Sequence, residues 1–395
     1  MGVVRVIAAA VVVAAGVVAS EGSAGLIVRT VAGTGEHVNR AAIDTDDRII
    51  ISRNAAAPNR QPLGATPLPD PFAIAATGED DFAVCLAAPG LVYHRRDGRE
   101  WFTRPAAGDR AVGEPYDIVR LPASAVPPAT VPLGTLVGSS TDVVVDRTGH
   151  AVWIVSQIHR DRGGDPLDVA STEAVGGPAP GPARESVLRR EVRLRQPHDL
   201  CLDGRGGLLV CDTLNHCLRR IDLADRDAPV TIFGTQRWDG HPLRGPRVIV
   251  RDDDPANPGG YVIAYRESNR VLSLDAGGTV RELLAGSGRR GRAGDGGPAI
   301  EAELGGPKGL AIGPDGTIYI ADTENHVIRA IDRTTGQIAT LVGDGTKGDG
   351  PDGPALQCRL SRPHGIAIAG SLLLIADTGN HRVRGVELGR PAVSD

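Results

Sequence analysis

Residues 307–326 read Pro307-Lys308-Gly309-Leu310-Ala311-Ile312-Gly313-Pro314-Asp315-Gly316-Thr317-Ile318-Tyr319-Ile320-Ala321-Asp322-Thr323-Glu324-Asn325-His326. Two short β-rich runs, residues 309–312 and 317–321, flank Pro314-Asp315-Gly316, which supplies turn chemistry. A second turn at residues 322–326 leads into a run at 327–331. Arg333-Thr334-Thr335-Gly336 then returns the chain through residues 337–342. The stretch predicts four strands. Small apolar residues alternate with large ones on both faces, the pattern needed by a sheet sandwiched between two similar sheets.

The pattern recurs. Pro197-His198-Asp199-Leu200-Cys201-Leu202 precedes Cys211-Asp212-Thr213-Leu214-Asn215-His216, and Pro363-His364-Gly365-Ile366-Ala367-Ile368 precedes Ala376-Asp377-Thr378-Gly379-Asn380-His381. A degenerate copy runs from Pro246-Arg247-Val248-Ile249-Val250 to Tyr265-Arg266-Glu267-Ser268-Asn269-Arg270. Aligned on their asparagines, Asn215, Asn269, Asn325 and Asn380, the copies lie 54, 56 and 55 residues apart. Weaker paired-strand runs at residues 71–75, 82–86 and 91–95, and at 141–146 and 151–156, bring the units to six. Radial repetition of four-stranded units defines a β-propeller. The last unit ends after its third strand near Val386, while residues 27–35 read as a surplus fourth strand. Pairing the two would close the ring and remove both sheet edges. The expected fold is therefore all-β: a six-bladed propeller of four-stranded blades, closed by the N-terminal strand on the last blade.

Composition narrows the function classes. Apolar residues make up 41% of the 395, but aromatics only 3%, so the core rests on Val, Ile, Leu and Ala. The net charge is −5 and no basic run is present, which argues against nucleic acid as a partner. All but two of the 43 cationic residues are Arg, the exceptions being Lys308 and Lys347. Arg5, the apolar run 7–18 and the small residues 19–24 have the layout of a secretory signal peptide. The expected organisation is a leader at 1–24 and one propeller at 25–395. That implies a monomer, secreted or held in the periplasm or cell envelope, with no membrane span after cleavage.

The repeated Pro-[His/Lys]-Gly-[Ile/Leu]-Ala-Ile … Ala-Asp-Thr-x-Asn-His pattern resembles the NHL repeat. The spacers Ala285-Gly286-Ser287-Gly288 and Gly294-Asp295-Gly296-Gly297-Pro298-Ala299 resemble those of bacterial secreted NHL proteins. The resemblance implies a six-bladed propeller, a fold that hosts binding modules and enzymes alike. It also implies one known chemistry, that of the peptidyl-hydroxyglycine lyases, whose zinc is held by histidines following prolines at inner-strand starts. His198 and His364 stand at that position; Arg247, Lys308 and Phe72 are the equivalents in other units. A catalytic zinc shell takes three protein ligands plus water, and the pattern offers two histidines beside cationic neighbours.

The residue after the inner-strand proline varies while its frame is constant, which marks a ligand-facing position. His198, Arg247, Lys308 and His364 are accordingly the candidate ligand-binding residues, converging at one mouth of the channel. Their charge favours a polar or anionic protein, peptide or glycan. No cofactor is expected and no catalytic residue is identified. Zinc at His198 and His364, serving a lyase or hydrolase, is the alternative. His216, His326 and His381 recur at one position and read as structural residues of a hairpin. Cys211 and Cys217 flank a hairpin turn and read equally as a disulfide or as two buried thiols. The Gly-Asp-Gly stretches at 294–297 and 348–353 lack the closing glutamate of a calcium loop and read as flexible connections.

Overall fold

The computed structural model describes residues 25–33, 197–222, 228–234 and 237–388 continuously, together with Leu68 and the separate strands between residues 40 and 187 named below. Among the described residues the chain is all-β, with short 3-10 turns. Five antiparallel sheets of four or more strands follow one another. Sheet 1 comprises Pro71–Gly78, Asp81–Leu86, Leu91–Arg96 and Arg99–Thr103. Sheet 2 comprises Pro197–Leu202, Gly207–Asp212, Cys217–Asp222 and Val230–Phe233, with Ser186–Val187 on its edge. Sheet 3 comprises Pro246–Asp252, Gly260–Tyr265, Arg270–Leu274 and Val280–Ala285. Sheet 4 comprises Gly309–Ile312, Ile318–Asp322, Val327–Asp332 and Gln337–Val342.

Sheet 5 is assembled from both ends of the chain. Ile366–Ala369, Leu372–Asp377 and Arg382–Glu387 supply three strands, Ile27–Ala32 the fourth, and Gly353–Pro354 an edge. The N-terminal strand runs antiparallel to the last one, with Val28 opposite Val386 and Thr30 opposite Arg384. Smaller sheets join Arg40–Ile43, Ile49–Ser52 and Pro58–Gln61; Ile118–Leu121, Val152–Ile154 and Ala174–Val175; and Arg237–Trp238 with His241–Pro242. The expected strand at 141–146 and the leader at 1–24 lie outside the described residues. Val152–Ile154 pairs with Ile118–Leu121.

The sheets pack face to face, and their first strands touch: sheet 2 against 3, 3 against 4, 4 against 5, and 5 against 1. A separate apolar core fills each interface. Leu209, Phe233, Ile249 and Ile263 join sheets 2 and 3; Val262, Val271, Leu310 and Ile320 join 3 and 4. Tyr319, Ile328, Ile366 and Leu373 join 4 and 5, and Phe82, Tyr93, Leu374 and Val383 join 5 and 1. Central strands buried on both faces, such as Leu372–Asp377, account for the continuous apolar runs. This radial stack of blades about their first strands is a β-propeller.

The Asp-Thr-x-Asn-His turn ties sheets 2, 4 and 5 to their neighbours. Asp322 accepts the Gly305 amide at 2.6 Å and the Asn325 side chain at 2.8 Å, and Asn325 donates to the Gly291 carbonyl, fastening the lead-in to its own sheet. The threonine reaches forward. Thr213 donates to the carbonyl of Pro246 and Thr323 to that of Pro363, both at 2.7 Å, and Thr378 to that of Pro71 at 2.6 Å. The histidine also reaches forward, since Nδ1 of His216 accepts the Gly245 amide and Nδ1 of His326 the Arg362 amide, each at 3.1 Å. These histidines are structural, but they serve the next blade's lead-in rather than their own hairpin.

Alignment on asparagines misplaces sheet 3. His216, His326 and His381 adopt left-handed backbone with φ of 57°, 59° and 52°, and in sheet 3 that conformation belongs to Asn269, φ 49°. Asn269 takes over the histidine's task by accepting the Gly306 amide at 2.9 Å. Shifted by one, Tyr265 and Leu272 stand where the other blades place Asp322 and Arg329. Arg219, Arg329 and Arg384 are fully buried. Nε of Arg219 and of Arg384 binds the turn aspartates Asp212 and Asp377, at 2.7 and 2.8 Å. Arg329 and Arg384 also hold the Gly-Asp-Gly connections, Arg329 through Asp295 at 2.6 Å and Arg384 through the Gly350 carbonyl at 2.6 Å. Those connections are therefore pinned rather than flexible. Sheet 3 replaces both members of the ion pair with apolar side chains, which a buried pair tolerates far better than losing one member.

Cys211 faces Leu218 and Cys217 faces Asp212 across the hairpin, so the two cysteines project from opposite faces of the sheet. Both are buried free thiols, and the disulfide reading is corrected. Burial, reinforced by Asp212, pushes the Cys217 thiol up to about 12.

Two stability measurements follow from the turn. His326→Ala should lower stability by about 1 kcal/mol, whereas His326→Asn should be nearly neutral because Asn269 performs the same task. Equal losses for the two would overturn the assignment. Arg384→Leu should cost about 3–5 kcal/mol by stranding Asp377. The double variant Asp377→Leu/Arg384→Leu should lose less than the sum of the single ones in urea denaturation, with a coupling of about 1–3 kcal/mol.

Candidate ligand site at the inner-strand starts

The Pro-x-Gly lead-in brings the variable side chains together. Gly309 lies against the His364 carbonyl, where an added Cβ would sit 2.1 Å from the oxygen. Gly365 repeats this against Phe72, whose carbonyl accepts the Gly365 amide at 2.7 Å. Glycine is needed there for close backbone approach. In sheets 4 and 5 the residue after the proline is thereby brought against its counterpart in the next blade.

Four of these residues form one chain of contacts. The Arg247 guanidinium lies 5.2 Å from the Phe72 ring centroid, and Phe72 stacks on His364 at 4.1 Å. Nε2 of His364 lies 3.3 Å from Nζ of Lys308, which donates to Glu324 at 2.9 Å. Glu324 also receives Arg362 at 2.9 Å. Arg247, Lys308 and His364, three of the four predicted residues, are thus brought together, and at 3%, 7% and 7% exposed they sit largely beneath the surface. His198 occupies the same strand position in sheet 2, its Nδ1 at 2.9 Å from Thr213 Oγ1.

The hydrogen bonds assign the His364 tautomer. Nδ1 lies 2.9 Å from the Arg362 carbonyl, which can only accept, so Nδ1 carries the proton. Nε2 presents its lone pair to the Lys308 ammonium. Burial first, then Lys308, Arg247 and Arg362, hold this imidazole well below its ordinary value of 6.5. Burial also draws Lys308 down to about 7, with Arg247 and Arg362 adding to the shift and Glu324 opposing it. Burial would raise Glu324, but Lys308, Arg362 and Arg266 outweigh it and keep the carboxyl below its usual range.

This geometry does not suit zinc. Both ring nitrogens of His364 are engaged, and Nε2 faces an ammonium group rather than an open coordination position. Among the described residues, no group of three or more His, Cys, Asp or Glu side chains is placed to hold a metal ion. The sequence missed Glu324 and Arg362. Glu324 fills the variable place of the Asp-Thr-x-Asn-His turn, where Leu214 and Gly379 stand in other blades, and that variation was its available signal.

The comparisons agree with the architecture. The NHL repeat matches residues 194–221 and 360–385, and the Teneurin NHL domain matches residues 279–349. The chain is 37% identical over 137 residues to the Arabidopsis thaliana protein SUPPRESSOR OF QUENCHING 1, chloroplastic, covering 32% of this chain and 13% of that one. It is 26% identical over 287 residues to NHL repeat-containing protein 2 of Bos taurus, covering 63% of this chain and 37% of the relative. It thus spans little more than a third, or less, of these relatives' lengths. An auxiliary nutrient binding protein from Bacteroides ovatus superposes with a TM-score of 0.57 at 14% identity, over 91% of this chain and 76% of that one. A protein of unknown function from Bacteroides thetaiotaomicron superposes with the same TM-score and identity, over 92% and 76%. These likenesses show a shared fold. The chain is a β-propeller protein that carries NHL repeats. No helix of the described residues is long and apolar enough to cross a membrane.

The buried imidazole predicts a pH dependence. Below pH 6.5 the unfolded chain protonates this histidine while the folded chain does not, so the unfolded state binds more protons and stability falls with acidification. The contribution is about 1.4 kcal/mol per pH unit. Chemical denaturation of wild type and His364→Gln from pH 7 to 5 should show a shallower decline in the variant, and parallel curves would refute a neutral His364.

Proposed function

We propose that the chain is an exported six-bladed propeller, sealed by its N-terminal strand, that acts as a recognition module. Its ligand is an anionic or polar group on a protein, peptide or glycan, taken up at the mouth defined by His198, Arg247, Lys308 and His364. The observation that carries this reading is the cluster itself. Lys308, Arg362 and Arg266 act on one acid, Glu324, while Arg247 lies within electrostatic reach of Lys308 and His364, at the point where several blades meet. Largely buried cations disfavour the folded state unless paired. Their concentration at one place, beside the starts of the inner strands, is the arrangement of a preorganised anion site. Sheet 5 packing on sheet 1 supports closure, and the basic start and apolar run of residues 1–24 support export. The lyase alternative has less support, because His364 faces Lys308.

The test is Arg247→Ala/Lys308→Ala, compared with wild type on peptide and glycan arrays and in pull-downs from the protein's own culture. Loss of acidic ligands by at least tenfold, with the melting temperature retained, is expected. Unchanged binding in the double variant would exclude this mouth as the site.

A further inference from the structure

Lys308 stands out in a chain whose other cations are, with the single exception of Lys347, all Arg. An arginine in its place would bind an anion as well or better, but a guanidinium cannot shed its proton or act as a nucleophile. The amine is 4% exposed and sits between Glu324 Oε1 at 2.9 Å and His364 Nε2 at 3.3 Å. The imidazole is held with its lone pair toward that amine by the Nδ1 bond to the Arg362 carbonyl. A primary amine beside a neutral imidazole and a carboxylate, with the Arg247 and Arg362 guanidinium groups in electrostatic reach, has the components for covalent capture of a carbonyl.

We propose that Lys308 forms an imine with an aldehyde or ketone that also carries a carboxylate, an oxo acid. The proposal rests on the reading of the same cluster as the ligand site. Arg247 and Arg362 attract the carboxylate. The Lys308 lone pair forms the C–N bond while the carbonyl π bond moves onto oxygen, and the amine proton passes to Nε2 of His364. Nε2 hands that proton to the alkoxide to give the carbinolamine. The second amine proton follows the same route as the C–O bond breaks and the nitrogen lone pair forms the C=N bond, so one amine and one carbonyl give one imine and one water with no change of oxidation state. Burial and the neighbouring arginines, which bring Lys308 to about 7, keep a large share of the amine neutral at physiological pH. An ordinary lysine leaves about one in a thousand neutral there. The hydrolysable imine gives reversible, covalent retention of a small acid, either free or as a terminal group of a larger ligand.

Exposed Lys347 provides an internal control. The full chain is incubated at pH 7 with glyoxylate, or with propionaldehyde as a neutral aldehyde, in the presence of cyanoborohydride, and the reduced adducts are mapped by peptide mass spectrometry. Glyoxylate should label Lys308 at least tenfold more than Lys347, and propionaldehyde should show a weaker preference. Lys308→Arg should keep its melting temperature while losing the adduct. Equal labelling of the two lysines, or labelling of Lys347 alone, would overturn the imine whatever the variants do. Equal preference for both aldehydes would overturn the oxo-acid class. If wild type forms no adduct while Arg247→Ala/Lys308→Ala still abolishes binding, the covalent step fails and the recognition reading stands.

Discussion

Three of the four junctions between described blades depend on a short hydrogen bond, donated by the turn threonine to the carbonyl of the proline that starts the next inner strand. It joins sheet 2 to 3, 4 to 5 and 5 to 1 at 2.6–2.7 Å. Apolar burial between blades supplies most of the driving force, but it is non-directional and would tolerate sliding. The threonine bond and the histidine bond beside it set the height of one blade against the next. That height is what brings the residues after the prolines level with one another. The candidate site is therefore a consequence of how the blades are locked.

The same turn explains which repeat residues are constant. Asp322 and Asn325 hold the lead-in of their own sheet, while the threonine and histidine hold the next one. One five-residue motif thus satisfies buried backbone groups on two blades, which would otherwise cost about 1–3 kcal/mol each. Sheet 3 shows how the motif can be dispensed with. It drops the aspartate, the threonine and the arginine together, fills the space with Tyr265 and Leu272, and keeps only the left-handed residue, as Asn269. A buried ion pair removed as a unit leaves no stranded charge.

This clarifies what was legible in the amino-acid string. Blades carrying the full motif were readable because each motif residue has a bond to make, and the N-terminal strand was readable because sheet 5 lacked a partner. The degenerate blade was misaligned by one residue, since identity placed Asn269 with the asparagines whereas its backbone places it with the histidines. Asn and His both tolerate left-handed backbone and both offer an acceptor, so only φ separates the two assignments. The cysteine pair misled for a similar reason. Proximity to a turn says nothing of which face a side chain takes, and register decides that.

For the candidate site, periodicity located four residues at one strand position but could not reveal their surroundings. Phe72 stacks on His364 only because the last blade sits against the first, a contact between residues nearly three hundred positions apart. Glu324 occupies the one turn position that varies, so it appeared to be noise within the repeat. Its carboxylate nevertheless decides the electrostatics. It lies within hydrogen-bond reach of both Lys308 and Arg362, and without it the cluster would gather uncompensated cations beneath the surface. A carboxylate already bound among these groups shows what kind of chemistry they accept. An incoming acid must either displace Glu324 or share its partners. Displacement would release Glu324 into water at modest cost, since it is already partly exposed. On the proposed reading, an external anion would exchange for this internal one while Arg247, Lys308 and His364 stay where the blades hold them.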